Sequence, residues 1–173
     1  MHDASRVGFR PARREDCRRL WEWRNDPVTR EASFDTKHIP YEDHERWFAG
    51  KVDAADTRIF IVLDAGGSEV GYVRFTIARE RAEISLSIDE RKRGQGYGPH
   101  AIRAVSDHLL SEGSVRRIVA LVKRPNVTSV RAFERAGFVI DGLREIAGGP
   151  AYEMTYGEPT RRSTSGGDVL ARA

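Results

Sequence analysis

Residues 82–99 read Ala-Glu-Ile-Ser-Leu-Ser-Ile-Asp-Glu-Arg-Lys-Arg-Gly-Gln-Gly-Tyr-Gly-Pro, and they join two different kinds of backbone. From Ala82 to Ile88, the apolar Ile84, Leu86 and Ile88 alternate with Glu83, Ser85 and Ser87, the period-two pattern of a strand with one apolar face. After the glycines at 94, 96 and 98, Ile102, Val105 and Leu109 form one helical stripe between about Pro99 and Glu112. A glycine loop between a strand and a helix is chemically suggestive. The first turn of a helix leaves backbone N–H groups unpaired, and glycine lets a ligand approach them closely. Pro99 fits an early helical position because its missing N–H costs nothing there. Arg93 adds a positive charge beside what reads as a diphosphate cradle. A Walker loop would end in Gly-Lys-Ser/Thr, which is absent, and a dinucleotide fingerprint would space its third glycine differently. Taken alone, the hexapeptide 93–98 also fits a turn that binds nothing.

Working outward, Ile59–Leu63 and Val70–Ala78 are extended segments that should form an antiparallel meander with Ala82–Ile88. Upstream, Val7–Pro11 reads as a strand, Glu15–Arg24 as a helix and Tyr41–Lys51 as a second helix. Asn25-Asp26-Pro27 reads as a stop, followed by a polar loop. Downstream come a strand at Arg117–Val122, a helix at Val127–Ala136 and strands at Phe138–Arg144 and Ala151–Tyr156. The order β-α-α-β-β-β-α-β-α-β-β predicts one α/β domain over residues 6–156, without internal repeats. Residues 157–173 lose apolar periodicity and gain Ser, Thr and Gly, which predicts a flexible tail.

Composition narrows the function class. A length of 173 residues suits a single domain, and 39% hydrophobic with 32% charged residues excludes simple disorder. The net charge of +3 is a small difference between 29 basic and 26 acidic residues whose signs alternate along the chain. A nucleic-acid domain would gather its charge on one face or arm, so no nucleic-acid partner is expected. The single Cys17 excludes an internal disulfide framework and a multi-thiolate zinc site, and the five histidines show no ligand spacing, so no metal is expected. No apolar run reaches the ~18 residues of a membrane span, and the N-terminus lacks the apolar middle of a secretion signal. A cytoplasmic protein without a membrane partner is the expectation.

Two motifs then fall in register. Arg93-x-x-Gly96-x-Gly98 resembles the acetyl-CoA pyrophosphate loop of the GNAT superfamily of N-acetyltransferases. About thirty residues on, Asn126-x-x-Ser129-x-x-x-Phe133-Glu134-x-x-Gly137-Phe138 resembles that superfamily's second cofactor motif. The resemblance implies a mixed, mostly antiparallel sheet that splays between its fourth and fifth strands, with helices on both faces. It implies acetyl-CoA as acyl-donor substrate. The backbone of Leu86, Ser87 and Ile88 would hold the pantetheine arm. The N–H groups of Gly94, Gln95, Gly96, Tyr97 and Gly98, up to Pro99, would hold the pyrophosphate, with Arg93 at the lip. Asn126 would bind the pantetheine arm, though Pro125-Asn126 also reads as a helix cap, with Ser129 and Phe133 beside the cofactor. Lys92, Lys123 and Arg124 could meet the 3′-phosphate or simply be solvated.

For the chemistry, the resemblance points to Glu83 as the base, against the plain alternative of a solvent-facing strand glutamate. Many relatives carry a tyrosine acid at the position of Phe133, which cannot donate a proton; Tyr97, Tyr152 and Tyr156 are substitutes, or no acid is needed. Trp23-Arg24-Asn25-Asp26 and Glu42-Asp43-His44-Glu45-Arg46-Trp47-Phe48 resemble the N-terminal region of nucleotide-amino-sugar N-acetyltransferases of the pseudaminic-acid pathway. On that reading Arg24, Asn25, His44, Trp47 and Arg74 bind a small-molecule amine acceptor; core packing is the alternative for Trp47, and a satisfied surface position the alternative for His44. A Rim-type protein N-terminal acetyltransferase shares the architecture, and a non-catalytic acetyl-CoA sensor is the non-enzymatic alternative. The family also leaves a homodimer open, although no interface is legible.

Overall fold

The alternation through Ala82–Ile88 reappears as burial. Ala82 and Ile84 point into an apolar core while Glu83 stays exposed on the opposite face. The computed structural model describes residues 7–158. It builds one seven-stranded sheet whose first four members are β1 (Gly8–Pro11), β2 (Thr57–Leu63), β3 (Glu69–Ala78) and β4 (Arg81–Ile88). The remaining strands are β5 (Arg117–Lys123), β6 (Val139–Ile146) and β7 (Gly149–Gly157), in the spatial order β1-β2-β3-β4-β5-β7-β6. The expected meander is present, with Arg74 opposite Ser85 and Tyr72 opposite Ser87 on β3 and β4.

Each sheet face is covered by helices because each strand presents a second apolar set. Phe60, Val73 and Phe75 pack toward α4 (Tyr97–Ser111), whose Ile102, Val105 and Leu109 are fully buried as the stripe predicts. Each such side chain contributes roughly 1.5–3 kcal/mol by leaving water. On the other face, Ile59, Ile61 and Tyr72 pack against Leu20 and Trp23 of α1 (Cys17–Asn25) and Phe48 of α3 (Tyr41–Lys51). Cys17 is buried in that layer, as a small apolar residue would be.

The join between β4 and β5 is the feature that makes a site. It is the sheet's parallel contact, and it lasts only for Arg81↔Arg117, Ala82↔Ile118 and Glu83↔Val119. Beyond Glu83, β4 pairs with β3 on one side only, so the two strands part as the sequence comparison implies. Backbone groups along that free edge lack a neighbouring strand.

The segment after α1 departs from expectation. Asn25-Asp26-Pro27 does end a helix, but it also starts one, α2 (Pro27–Ala32), where a polar loop is expected. Pro27 occupies the first helical position, and Asp26 Oδ1 accepts from Thr29 N at 3.0 Å. The same dipeptide therefore serves as stop and cap. The other boundaries shift by a few residues at most. The predicted tail lies outside the described residues from position 159 onward.

Candidate active site

The parted strands open into a cleft of about 770 Å³, floored by β4 and β5 and flanked by the loop before α4 and by α5 (Val127–Arg135). One end is made mostly of backbone. Leu86, Ser87 and Ile88 line it along the free edge of β4. Across the gap, β5 contributes Leu121 and Val122. A side chain at Gly71 of β3 would run into the Ser87 carbonyl oxygen, so that glycine lets the two strands close up beneath the cleft.

The glycine loop is shaped as the cradle reading requires. Gly94 and Gly96 adopt left-handed backbone conformations, with φ of 73° and 90°, which glycine takes without steric cost. Gly96 is the N-terminal cap of α4, so the Tyr97 and Gly98 N–H groups in its first turn have no intrahelical acceptor. Positive dipole potential adds to these donors. At Gly94 and Gly98 an added Cβ would meet nothing within 4 Å, and both line the cleft; that is free space a phosphate could fill. The donor set and the space fit the pyrophosphate of acetyl-CoA. Tyr97 and Pro99 also line the cleft, whereas the Gln95 side chain turns away to the Arg91 carbonyl at 2.8 Å.

Arg93 has a more specific position than a free cation at the lip. Its Nη2 donates to Asp26 Oδ1 at 2.5 Å and to Thr29 Oγ1 at 3.2 Å, and its Nε donates to the Ile88 carbonyl at 3.0 Å. Thr29 Oγ1 lies 3.0 Å from Ser87 Oγ, which in turn donates to the Trp23 carbonyl. Burial pushes the Asp26 carboxyl up, but the bonds from Arg93 and the Thr29 amide outweigh it and leave the group below its ordinary value. Lys92 is also paired, with Asp64 at 3.1 Å. Lys123 donates to the Glu31 carbonyl at 2.9 Å, and Arg124 lies over the Tyr152 ring.

On α5, Asn126 is the helix cap, its Oδ1 accepting from Ser129 N at 3.1 Å. Both Asn126 and Ser129 line the cleft. Phe133 also lines the cleft but is nearly buried, edge-on to Phe138 at 5.0 Å between ring centroids. Of the three substitute tyrosines, Tyr97 alone is on the wall. The Tyr156 hydroxyl donates to Asp107 at 2.6 Å, and its ring stacks on Phe138.

The other end is made of side chains. Arg24 from α1, Tyr72 and Arg74 from β3, and Glu83 and Ser85 from β4 line it. Glu83 stands on the same sheet face as Ser85 and Ser87. Asn25, His44 and Trp47 are behind this wall rather than on it. Both atoms of the Asn25 amide bond the Ile39 backbone, at 2.8 and 3.0 Å, so the residue pins the chain leading into α3. His44 is buried and stacked on Phe48 with planes 14° apart; burial holds its ring below the ordinary pKa of 6.5. Trp47 supports Arg74, whose guanidinium lies 5.3 Å from the ring centroid. The reading from sequence missed Tyr72 and the α2 residues Thr29 and Val28, which also line the cleft. The Asp26-Pro27 cap signal could have revealed the helix that carries Thr29.

Phe34 also lines this cleft. Phe34, following α2, sits so close to the β6–β7 turn that a Cβ on Gly148 would stand 3.0 Å from the Phe34 carbonyl oxygen. Lys123 ties β5 to the Glu31 carbonyl of α2 across the same gap. Among the described residues, no group of three or more His, Cys, Asp and Glu could hold a metal ion, and no helix is long and apolar enough to cross a membrane.

Comparison with known proteins agrees with this geometry. The chain is 26% identical over 122 residues to the "Putative phosphinothricin acetyltransferase YwnH" of Bacillus subtilis (strain 168), covering 67% of this chain and 73% of that one. Its fold matches a spermidine N-acetyltransferase from Vibrio cholerae in complex with CoA and spermine, at a TM-score of 0.79 and 21% identity over 88% of this chain and 95% of that one. It also matches the aminoglycoside acetyltransferase AAC(6')-Ib in complex with coenzyme A and kanamycin, at a TM-score of 0.75 and 20% identity, again over 88% and 95%. Residues 6–139 match the family described as "Acetyltransferase (GNAT) domain". With that match over a splayed sheet and a glycine cradle, the chain belongs to the GNAT acetyltransferase family and is an acetyl-CoA-dependent N-acetyltransferase acting on amines.

Proposed function

We propose that the acceptor is a small molecule, best a nucleotide-linked amino sugar, and that its primary amine is acetylated directly in a ternary complex. The observation that supports the small-molecule reading is a pair of contacts, Phe34 with the Gly148 turn and Lys123 with Glu31, which we read as closing the acceptor end. A protein N-terminus of the Rim type would need an open groove along that line. The amino-sugar class rests on the resemblance of the Trp23–Asp26 and Glu42–Phe48 segments, and on a wall that combines Tyr72 with two arginines.

Bound acetyl-CoA supplies a thioester carbonyl whose thiol, with a pKa near 8.5, leaves as thiolate without needing an acid. The chain's own tasks are to hold the donor and to free the acceptor amine. An amine with a lysine-like pKa of ~10.4 costs about 4–5 kcal/mol to deprotonate at pH 7. Glu83 is the proposed base, taking the proton directly or through water held by Ser85 and Ser87. The free edge of β4 would orient the donor through the backbone of Leu86–Ile88, and the Asn126 amide would hold the same arm from α5. A backbone N–H near Ile88 would polarise the carbonyl oxygen. Phe133 would pack beside the departing sulfur without giving it a proton.

The experiment is CoA release by the purified chain with nucleotide amino sugars, aminoglycosides, polyamines and N-terminal peptides. Turnover with the nucleotide sugars supports the reading, and turnover with peptides alone refutes it. Binding of acetyl-CoA without release on any amine would instead favour the sensor.

A further inference from the structure

Among the described residues, four half-buried arginines, Arg24, Arg30, Arg58 and Arg74, make no salt bridge, and of these Arg24 and Arg74 line the cleft. Arg10, Arg93 and Arg117 each meet a carboxylate, Asp16, Asp26 and Asp141 respectively. Among the described residues, neither Arg24 nor Arg74 has a carboxylate oxygen within 4.0 Å. Glu83 and Asp35 line the same cleft, yet neither pairs with them; Asp35 Oδ1 instead accepts from Lys37 N. Arg24 donates one bond, from Nη2 to the Asp35 carbonyl at 3.0 Å, and Arg74 lies against Trp47.

Each also keeps a buried guanidinium nitrogen without an acceptor among the described residues, Nη1 in Arg24 and Nε in Arg74. Arg30 and Arg117 have such nitrogens too, but neither residue lines the cleft. Both cations line the cleft. The Tyr72 hydroxyl and the His44 ring both feel the charge of both, and burial keeps those two groups neutral. Two like charges thus line one cleft without an ion pair to either of its carboxylates, Glu83 and Asp35, although a buried charge ordinarily has a partner.

We infer that Arg24 and Arg74 form an oxyanion subsite, and that the acceptor carries a phosphate or carboxylate group as well as its amine. The fork of each guanidinium suits two oxygens of one such group. Arg74 is the diagonal cross-strand neighbour of Glu83 on one sheet face, about 7–8 Å away at the backbone. With Arg74 leaning toward Trp47, the anion is held at one side and the reacting amine is left beside Glu83. Such a site rejects polycations by like-charge repulsion. Spermine and kanamycin, bound by the two fold neighbours, are acceptors of the opposite charge type. The inference rests on the small-molecule acetyltransferase reading above, and it gives that reading a charge requirement.

The test uses the full chain saturated with CoA, titrated calorimetrically with UDP, L-glutamate and inorganic phosphate. The proteins are wild type, Arg24→Met, Arg74→Met and Arg74→Lys. At least one anion is expected to bind wild type, with roughly tenfold or more loss in each Met variant and a smaller loss in Arg74→Lys. CoA affinity should stay unchanged, which also reports that each variant is folded. A preference for UDP assigns the group to a nucleotide phosphate, and a preference for L-glutamate assigns it to an amino-acid carboxylate. The subsite is overturned if no anion binds wild type, if both Met variants bind as wild type does, or if spermidine or kanamycin is acetylated faster than anionic amines. Anion binding with no acetyl transfer to any amine would uphold the subsite and refute the catalytic reading.

Discussion

The two ends of the cleft are built from different material. The donor end is backbone: a strand edge released by the splay, a helix first turn and glycines that keep side chains away. The acceptor end is long side chains, Arg24, Tyr72, Arg74 and Glu83, held by a second layer of Asn25, His44 and Trp47. Backbone recognition needs few residue identities but strict spacing, and so leaves a motif. Side-chain recognition depends on tertiary placement, and one substitution can redirect it. A fold can keep its donor while changing its acceptor.

The sharpest way to separate the ends is Glu83→Gln. It should lower kcat by about a hundredfold, the lower range for a general base, while KM for acetyl-CoA stays put. Initial-rate kinetics with each substrate varied in turn would check it. Unchanged kcat would return Glu83 to a solvent-facing strand residue. At the donor end, Gly98→Val places methyl groups in open space rather than against the protein, so the fold should survive. KM for acetyl-CoA should rise by about tenfold or more, with Tm nearly constant. Initial-rate kinetics beside a melting curve would test both parts together.

Asn126→Ala should mix the two kinds of effect. Loss of the α5 cap costs about 1 kcal/mol, or about 2–4 °C in Tm for a chain of this size. A several-fold rise in KM for acetyl-CoA that Asn126→Asp shares would assign the amide nitrogen to the donor. Asn126→Asp keeps the capping oxygen and loses the N–H.

The smallest effect concerns the layer behind the acceptor wall. Burial depresses the His44 pKa in the folded chain, so below the unfolded value near 6.5 the unfolded state binds more protons. Stability from the neutral ring is therefore present above that value and lost as pH falls toward the folded pKa. Between about pH 7.5 and about pH 5.5, wild type should lose more Tm than His44→Phe does. Equal slopes in differential scanning calorimetry would show that the ring protonates without penalty.

The same contrast explains what could be read from sequence. The strand at Ala82–Ile88, the stripe of Ile102, Val105 and Leu109 and the glycine spacing are local periodicities, and each reappears in place. Asn126 kept its two readings because a cap and a ligand contact use different atoms of one amide. The acceptor side was less legible. Helical spacing brings His44 and Trp47 near Arg74 but cannot tell a wall residue from its support. Asn25 follows Arg24 directly, yet one lines the cleft while the other fastens Ile39, a difference set by rotation about α1. Asp26-Pro27 was ambiguous in kind, because the same two residues end one helix and cap the next.

Asp26 has a consequence beyond shape. One oxygen both caps the helix above the acceptor and receives the arginine of the donor loop, across 67 positions of sequence. On the proposed reading the two substrates therefore share a thermodynamic link. Any free energy that donor binding adds to or removes from the Arg93–Asp26 bond must return, by reciprocity, as a change in acceptor affinity. Titrating the acceptor with and without CoA would measure that link, and Asp26→Asn would weaken it while leaving both walls of the cleft in place.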